Sequence, residues 1–381
     1  MSESNSKTPL GEIFGFFLRL GLTAFGGPAA HIALMEREAV ERRGWLSRER
    51  FLDLVGACNL LPGPSSTQVA MALGYTRGGW MGLVTAGVCF IVPASLATLA
   101  LAWAYVRYGS LPQAVGLLYG AKPVMVAIVA QAIWRLGRMA LRGWGLAVAG
   151  LACLAAVMAG VPPFLVLVTA GVLALLAAWG RARAGTVQGI AWAPAGLSVS
   201  AAGAAGSVGL GSIALVFLKL GVVVFGSGYV LLEFLKADLV DRLHWITEPQ
   251  LLDAVTAGQV TPGPVFATAT FLGYLLHGWA GAGLATLAIF LPSFLMAAAV
   301  GALAGRIRQS KLAAAFLDGV NAAAVALMAD VALALGRATL IDGWTWALGL
   351  VSALLLLRFK VNATWLILGG AAVGILLRGL H

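Results

Sequence analysis

The sequence Leu-Leu-Pro-Gly-Pro at residues 60–64 recurs as Val-Thr-Pro-Gly-Pro at residues 260–264. No helix continues through this motif, because each proline lacks an N–H group and its ring clashes with the preceding turn. The residue before each proline is also pushed out of the α region. Both copies lie in long runs without Asp, Glu, Lys or Arg, at residues 54–76 and 254–305. The pattern predicts, in each copy, two half-helices that meet at a break.

The lengths of these half-helices predict how deep the break lies. The arms at residues 52–61 and 65–75 each hold about ten residues, or roughly 15 Å of helix, which is about half of a hydrocarbon core. Such a hairpin can reach the midplane of a membrane and return. Non-helical backbone at that depth is tolerated only where it is buried in protein or lines a wet cavity. A break in each of two repeats therefore indicates the binding site of a transporter.

The composition of the chain is that of a membrane protein. Of 381 residues, 60% are hydrophobic and 10% charged, with a mean hydropathy of +0.93, whereas soluble domains carry about 25% charged residues. We expect an all-α, multi-pass protein of the cell inner membrane, surrounded by the lipid bilayer. The net charge of +10 could indicate a nucleic-acid partner. However, most Lys and Arg lie in short loops between apolar segments, where they set the membrane topology. We therefore expect no nucleic-acid partner. The cysteines and histidines show no ligand spacing, so we expect no metal and no cofactor. A homo-oligomer is left open.

The second half of the chain repeats the first. The sequence Phe-Leu-Arg-Leu-Gly at residues 17–21 matches Phe-Leu-Lys-Leu-Gly at residues 217–221, an offset of 200 that also relates the two Pro-Gly-Pro motifs. Beyond one deletion the offset is 199, where Gly-Tyr at residues 74–75 matches residues 273–274. This pattern predicts a duplication with three parts: a first transporter repeat at 1–183, an Ala/Gly/Ser-rich linker at 184–210 and a second repeat at 211–381.

Basic residues predict that the two repeats have inverted topology. After the fourth segment the first repeat has Arg135, Arg138 and Arg142, whereas the second has Arg337 alone, and other loops reverse this bias. Because basic loops stay on the cytoplasmic side, the repeats should face opposite ways. About five spans and one re-entrant Pro-Gly-Pro hairpin per repeat satisfy this, and six spans with a crossing linker are the alternative. In the first repeat we expect an interrupted apolar segment at residues 12–35. Spans should follow at residues 78–106, 115–134, 143–160 and 163–180.

Basic residues inside apolar segments are candidates for binding an anion. Arg19 and Lys219 occupy equivalent places in the two repeats, and a cation at the centre of a span costs roughly 3 kcal/mol or more, which favours a functional role. The alternative is snorkelling, since each lies close to a segment end. Lys122 is a third candidate, with the same alternative.

The breaks also supply uncharged donors for an anion. The first N–H groups of each half-helix have no intrahelical partner, and with the positive end of the helix dipole they suit an oxyanion. Hydroxyl and amide side chains follow each break, although such hydroxyls often bond the preceding turn instead. The candidate substrate-binding residues are Arg19, Gly26, Gly27, Pro62, Gly63, Pro64, Ser65, Ser66, Gln68, Lys122, Lys219, Gly226, Pro262, Gly263, Pro264 and Thr268.

Acidic residues are candidates for proton relay or for structural ion pairs. Pairing with Arg42 and Arg242 is favoured for those that flank the hairpins, whereas an ionisable residue within a segment is a candidate for proton coupling. The flanking acids are Glu36, Glu38, Asp53, Asp238 and Asp253, and those within a segment are Asp318 and Asp330. No nucleophile triad, phosphate-binding loop or metal cluster is evident in the sequence, so we do not expect an enzyme.

Three stretches resemble the chromate ion transporter superfamily in its long, two-domain form. They are Phe-Gly-Gly-Pro-Ala-Ala-His at residues 25–31, Leu-Pro-Gly-Pro-Ser-Ser-Thr-Gln at 61–68, and Thr-Pro-Gly-Pro-Val-Phe-Ala-Thr-Ala-Thr-Phe-Leu-Gly-Tyr at 261–274. The resemblance implies chromate efflux and chromate resistance, with sulfate as a competitor or co-substrate. Ser227 stands where the family pattern would place a second glycine.

The sequence thus supports an oxyanion carrier, driven by membrane potential or by proton exchange. A passive anion channel and a carrier for another oxyanion such as sulfate are the alternatives. Saturation of the transport rate with substrate separates a carrier from a channel, because a carrier must alternate its access between the two sides and a channel does not. A membrane assembly without transport activity would not need paired intramembrane cations and broken helices.

Overall fold

A computed structural model of the chain describes residues 9–25, 27–59, 61–109, 112–141, 143–183, 208–224, 230–307, 311–359, 361 and 363–379. These residues form helices and no strand, as the composition predicts. The first repeat contains α1 (Leu10–Thr23), α2 (Gly27–Met35), α3 (Arg48–Asn59), α4 (Ser65–Tyr108), α5 (Pro112–Ala140), α6 (Trp144–Met158) and α7 (Pro163–Arg183). The second contains α8 (Leu210–Val223), α9 (Val230–Leu235), α10 (Glu248–Val260), α11 (Thr268–Ile307), α12 (Lys311–Thr339), α13 (Gly343–Arg358) and α14 (Ala363–Gly379).

The helices of the second repeat follow those of the first in kind and in order. In both repeats the second helix continues into a π-helical segment, at Glu36–Arg42 and at Lys236–Arg242. Among the described residues, four helical stretches are long and apolar enough to cross a membrane, two from each repeat, and five shorter apolar helices accompany them. The protein is therefore a multi-pass membrane protein. The predicted linker lies almost wholly outside the described residues.

The helix that follows each Pro-Gly-Pro loop reverses direction partway along. In α4 the reversal is at Gly79, whose φ of 60° favours glycine. Gly74 and Gly82 then pack backbone against backbone, and a methyl group at Gly74 would lie 2.6 Å from the Cβ of Ala86. A straight helix would separate residues 74 and 82 by about 12 Å. α11 reverses in the same way at Gly278.

The first two helices of each repeat also form a hairpin. Arg43, after α2, lies 2.8 Å from the carboxylate of Glu12 at the start of α1. In the second repeat, Lys219 of α8 contacts Asp238 of the segment after α9. The sequence predicts an interrupted apolar segment at residues 12–35. In the structure this stretch is folded back on itself. The sequence predicts one hairpin per repeat, at Pro-Gly-Pro, and does not predict this one, because a break marks where a helix ends and leaves its new direction open.

The two repeats run antiparallel to each other. α5 and α12 are equivalent helices that pack together. The Cβ position of Gly137 lies 3.7 Å from Val325, and that of Gly336 lies 4.0 Å from Val126, so residue numbers rise along one helix as they fall along the other. Tyr119, near the start of α5, donates to Asp342, which follows the end of α12. Equivalent helices thus point in opposite directions, as the basic loops predict.

Candidate oxyanion site

The tips of the hairpins from the two repeats meet and bond to each other. The N–H of Gly63 donates to the carbonyl of Val224 at 2.6 Å, and the N–H of Gly263 donates to the carbonyl of Ala24 at 2.9 Å. Both glycines have a positive φ, 108° and 100°, which residues with a Cβ rarely adopt. Each Pro-Gly-Pro loop therefore closes onto the end of the first helix of the other repeat. These glycine N–H groups have a protein acceptor, so the donors available to a ligand lie further along.

The start of α4 carries such donors. Ser65, Ser66, Thr67 and Gln68 are all buried. Pro64 precedes them and provides no side-chain cap, and the first N–H groups of a helix have no intrahelical acceptor. The side-chain amide of Gln68 donates to the carbonyl of Pro62, which closes the loop around Gly63. The result is a buried helix N-terminus with its N–H groups and dipole directed at the loop.

Ser293 of α11 completes this tip from the other repeat. Its side chain is 0% exposed, and its hydroxyl has no hydrogen-bond partner among the residues that the structure describes. A methyl group at Gly63 would lie 3.0 Å from that hydroxyl and 2.7 Å from Nε2 of Gln68. An unsatisfied buried hydroxyl costs about 1–3 kcal/mol. A ligand with acceptor oxygens would remove that cost.

His31 orients Ser66 and is a residue that the sequence reasoning missed. Its Nε2 lies 3.2 Å from the carbonyl of Ala24, and its Nδ1 lies 3.3 Å from the hydroxyl of Ser66. Because a carbonyl only accepts, Nε2 carries the hydrogen, and in the neutral ring Nδ1 accepts from Ser66. The sequence did contain a signal for this residue. His31 is the last residue of the motif at residues 25–31, and the equivalent position of the second repeat holds Leu231, so a polar side chain occurs there in the first repeat only.

The tip of the second repeat is apolar by comparison. Val265, Phe266 and Ala267 form a 3-10 turn after the loop. The hydroxyl of Thr268 donates to the carbonyl of Val265 at 2.8 Å, which is the back-bonding that sequence analysis gave as the alternative. Gly263 faces the methyl group of Ala94, the counterpart of Ser293. Two equivalent tips exist, and the polar side chains are concentrated at the first.

Comparison with known proteins identifies the family. The sequence profile named Chromate transporter matches residues 11–175 and again residues 211–375. The chain belongs to the chromate transporter family. It is 33% identical over 373 residues to the chromate transport protein of Cupriavidus metallidurans, covering 96% of this chain and 92% of that protein. The chromate transport protein of Pseudomonas aeruginosa is 34% identical over 340 residues (86% of this chain, 81% of that protein). A probable chromate transport protein of Synechococcus elongatus is 31% identical over 353 residues (90% and 88%). No solved structure matches the chain.

The three basic residues that the sequence suggests as anion ligands of this chromate transporter family member do not lie at the buried tip. Arg19 is exposed. Lys219 bonds both carboxylate oxygens of Asp238, at 2.9 and 2.8 Å. Lys122 lies 2.8 Å from the carboxylate of Asp253. The structure therefore does not assemble the three cations around the buried tip, where the donors are neutral.

Two of the acids that flank the hairpins form the favoured ion pairs, and two others pair differently: Glu36 with Arg48 at 2.8 Å, and Asp253 as described below. Arg42 pairs with Glu38 at 3.2 Å and Arg242 with Asp238 at 3.1 Å, which confirms the structural interpretation. Pairing of Asp253 with Arg242 is wrong. Asp253 faces the other repeat, where Lys122 and the hydroxyl of Tyr105, at 3.0 Å, bind it.

The remaining candidates divide into loop residues and undescribed ones. Pro62, Pro64, Pro262 and Pro264 shape the two loops, and Gly27 begins α2 with a φ of 77°. Gly26, Gly226 and Ser227 lie outside the described residues. Asp318 is exposed and Asp330 is half-buried. Within the part of the chain that the structure describes, no group of His, Cys, Asp and Glu could hold a metal ion.

Proposed function

We propose that this protein is a carrier that exports chromate across the cell inner membrane and thereby confers chromate resistance. Three relatives that align with most of the chain are named as chromate transport proteins or a probable one. The observation that carries the proposal is the buried, uncapped start of α4 beneath the unpartnered hydroxyl of Ser293. Such a group of donors suits a ligand with several acceptor oxygens.

The N–H groups at the start of α4 bind the anion in this proposal. Those of Ser65, Ser66 and Thr67 point along the helix dipole, and the hydroxyl of Ser293 donates from α11. Hydrogen bonds from neutral donors to a charged oxygen contribute about 1.5–3 kcal/mol each, so a few of them hold a dianion without a permanent cation. Chromate and sulfate are both tetrahedral dianions, so sulfate is a competitor or co-substrate at the same donors.

Transport requires the site to open to each side in turn. The anion would bind where the hairpin tips of the antiparallel repeats meet, which is the arrangement that lets one repeat rock against the other around a fixed site. Ser293 belongs to the second repeat and the start of α4 to the first. Movement between repeats therefore changes the distance between the two groups of donors and releases the anion. Membrane potential or proton exchange supplies the driving force.

Uptake of labelled chromate into inside-out vesicles tests the proposal. We expect saturable uptake that sulfate inhibits. Ser293→Ala removes one donor to a charged oxygen and should weaken apparent chromate affinity roughly tenfold to a hundredfold. Ser352→Ala is the matched control, because Ser352 is another buried serine on α13, a helix that packs chiefly against α5.

Three results would contradict parts of this proposal. Flux that rises linearly with chromate concentration, with no saturation, would make the protein a passive anion channel. Wild-type affinity in Ser293→Ala would place the site away from the first tip. Saturable uptake of sulfate without uptake of chromate would keep the carrier and change its substrate.

A further inference from the structure

Glu233 is a buried acid that the oxyanion site does not use. It lies on α9 within the apolar stretch Val230–Leu235, and it is 4% exposed. Its Oε2 atom has no hydrogen-bond partner among the described residues. A buried carboxylate without a cation costs several kcal/mol, whereas the protonated acid is uncharged and can donate a hydrogen bond. The burial therefore favours a proton on Glu233.

The groups around Glu233 do not neutralise it. Asp330 lies on α12, which packs against α9, and its charge acts on Glu233. Lys236 of the π-helical segment acts on Glu233 with the opposite charge, and its ammonium is 3.6 Å from Asp241. From α8, Lys219 is bound to Asp238. The neighbouring cations are thus engaged by other carboxylates.

We propose that Glu233, with Asp330 of α12 as its charged neighbour, is the proton-binding site of this carrier. One proton enters, bonds to a carboxylate oxygen of Glu233 and leaves from it again, so that this side chain alternates between the neutral acid and one negative charge. The negative charge of Asp330 acts on Glu233 from α12 and, together with burial, favours the protonated form of Glu233. Asp330 is half-buried and is thus more accessible than Glu233.

The proton site and the oxyanion site belong to different repeats. The counterparts of Glu233 and Asp330 are Ala33 and Gln131, neither of which ionises. α9 packs against α8, and Val224 at the end of α8 accepts from Gly63 of the oxyanion loop. A change of charge beside α9 therefore acts on the element that holds the oxyanion loop. Proton binding to one repeat can thus alter anion binding by the other.

Infrared spectroscopy tests proton binding without chromate. This inference rests on the proposed carrier function, but the spectrum of purified protein does not depend on it. We expect a protonated-carboxyl band that appears as pH falls, that is lost in Glu233→Gln and whose pH of appearance shifts in Asp330→Asn. Asp318→Asn, which removes an exposed acid of the same helix, should leave the band unchanged. An identical band and titration in Glu233→Gln, Asp330→Asn and wild type would overturn the proposal.

Transport under an imposed pH gradient tests the coupling. In proteoliposomes, the gradient should change the initial rate of chromate uptake several-fold in wild type and in Asp318→Asn. Glu233→Gln should not respond to it, and Glu233→Asp should recover part of the response. A full response in Glu233→Gln would refute coupling through this pair. Absence of chromate uptake in wild type would instead refute the proposed substrate, with the infrared result standing separately.

Discussion

Replacing Lys122 by Met would leave the carboxylate of Asp253 buried without its cation. The two charged atoms are 2.8 Å apart, with side-chain exposures of 21% for Lys122 and 5% for Asp253. The pair joins α5 of the first repeat to α10 of the second, so it contributes to the contact between repeats. We therefore expect Lys122→Met to destabilise the protein more than the loss of an exposed ion pair would.

The burial of each partner sets the expected magnitude. Removing one partner of a buried pair costs about 3–5 kcal/mol, and the partial exposure of Lys122 places this case near ~3 kcal/mol. Lys122→Met with Asp253→Asn removes the buried charge and leaves an acceptor for Tyr105, so it should recover most of the loss. Arg48→Ala is the control: Arg48 lies the same 2.8 Å from Glu36 but is 76% exposed, and such pairs contribute about 0–1 kcal/mol.

Thermal unfolding of the purified protein in detergent measures this difference. For a chain of this length, ~3 kcal/mol corresponds to a fall of ~3–6 °C in apparent Tm. Lys122→Met should show that fall, the double variant should regain most of it, and Arg48→Ala should change Tm by less than ~2 °C. If the double variant is as unstable as the sum of the two single variants, the charges are not coupled and the reasoning from burial is refuted.

Three further changes have distinct expected outcomes. Gly63→Ala should abolish chromate-dependent thermal stabilisation, because the added methyl group would press on Gln68 and Ser293. Gly143→Ala, at a similar φ of 106° but with open space around it, should keep that stabilisation. Equal behaviour of the two variants would show that the backbone φ alone, and not the contact with the site, causes the loss. Single cysteines at Arg138 and Arg337 in a cysteine-free protein should react with an impermeant thiol reagent from opposite sides, cytoplasmic for Arg138, and labelling from one side would refute the inverted topology. The hydroxyl of Tyr119 donates to Asp342 and holds the pKa of that carboxyl below its usual value. A lowered pKa stabilises the fold above the unfolded pKa of about 4, and that contribution is lost as pH falls through the folded value, so apparent Tm should fall on acidification less in Asp342→Asn than in wild type.

The local features of this protein follow from its sequence. Proline removes an N–H group and clashes with the preceding turn wherever it stands, so residues 60–64 and 260–264 end helices whatever surrounds them. The predicted spans at residues 78–106, 115–134, 143–160 and 163–180 lie within or along α4 to α7, because apolar runs of that length need helical hydrogen bonding in a membrane. The match at an offset of 200 identifies equivalent residues without any coordinates.

The tertiary structure alone decided which residues meet. Equivalence between repeats suggested that Arg19 and Lys219 both bind the anion, but Arg19 is exposed and Lys219 binds Asp238. The direction in which the chain leaves a break depends on packing against distant helices, and so the hairpin of α1 and α2 was not predicted. Glu233 and Ser293 acquire their proposed roles because the fold buries them against other helices. Ser293 lies beside Gly63, for example, although the two residues are far apart in the sequence. Local sequence determines where a helix ends, whereas long-range packing determines what its end faces.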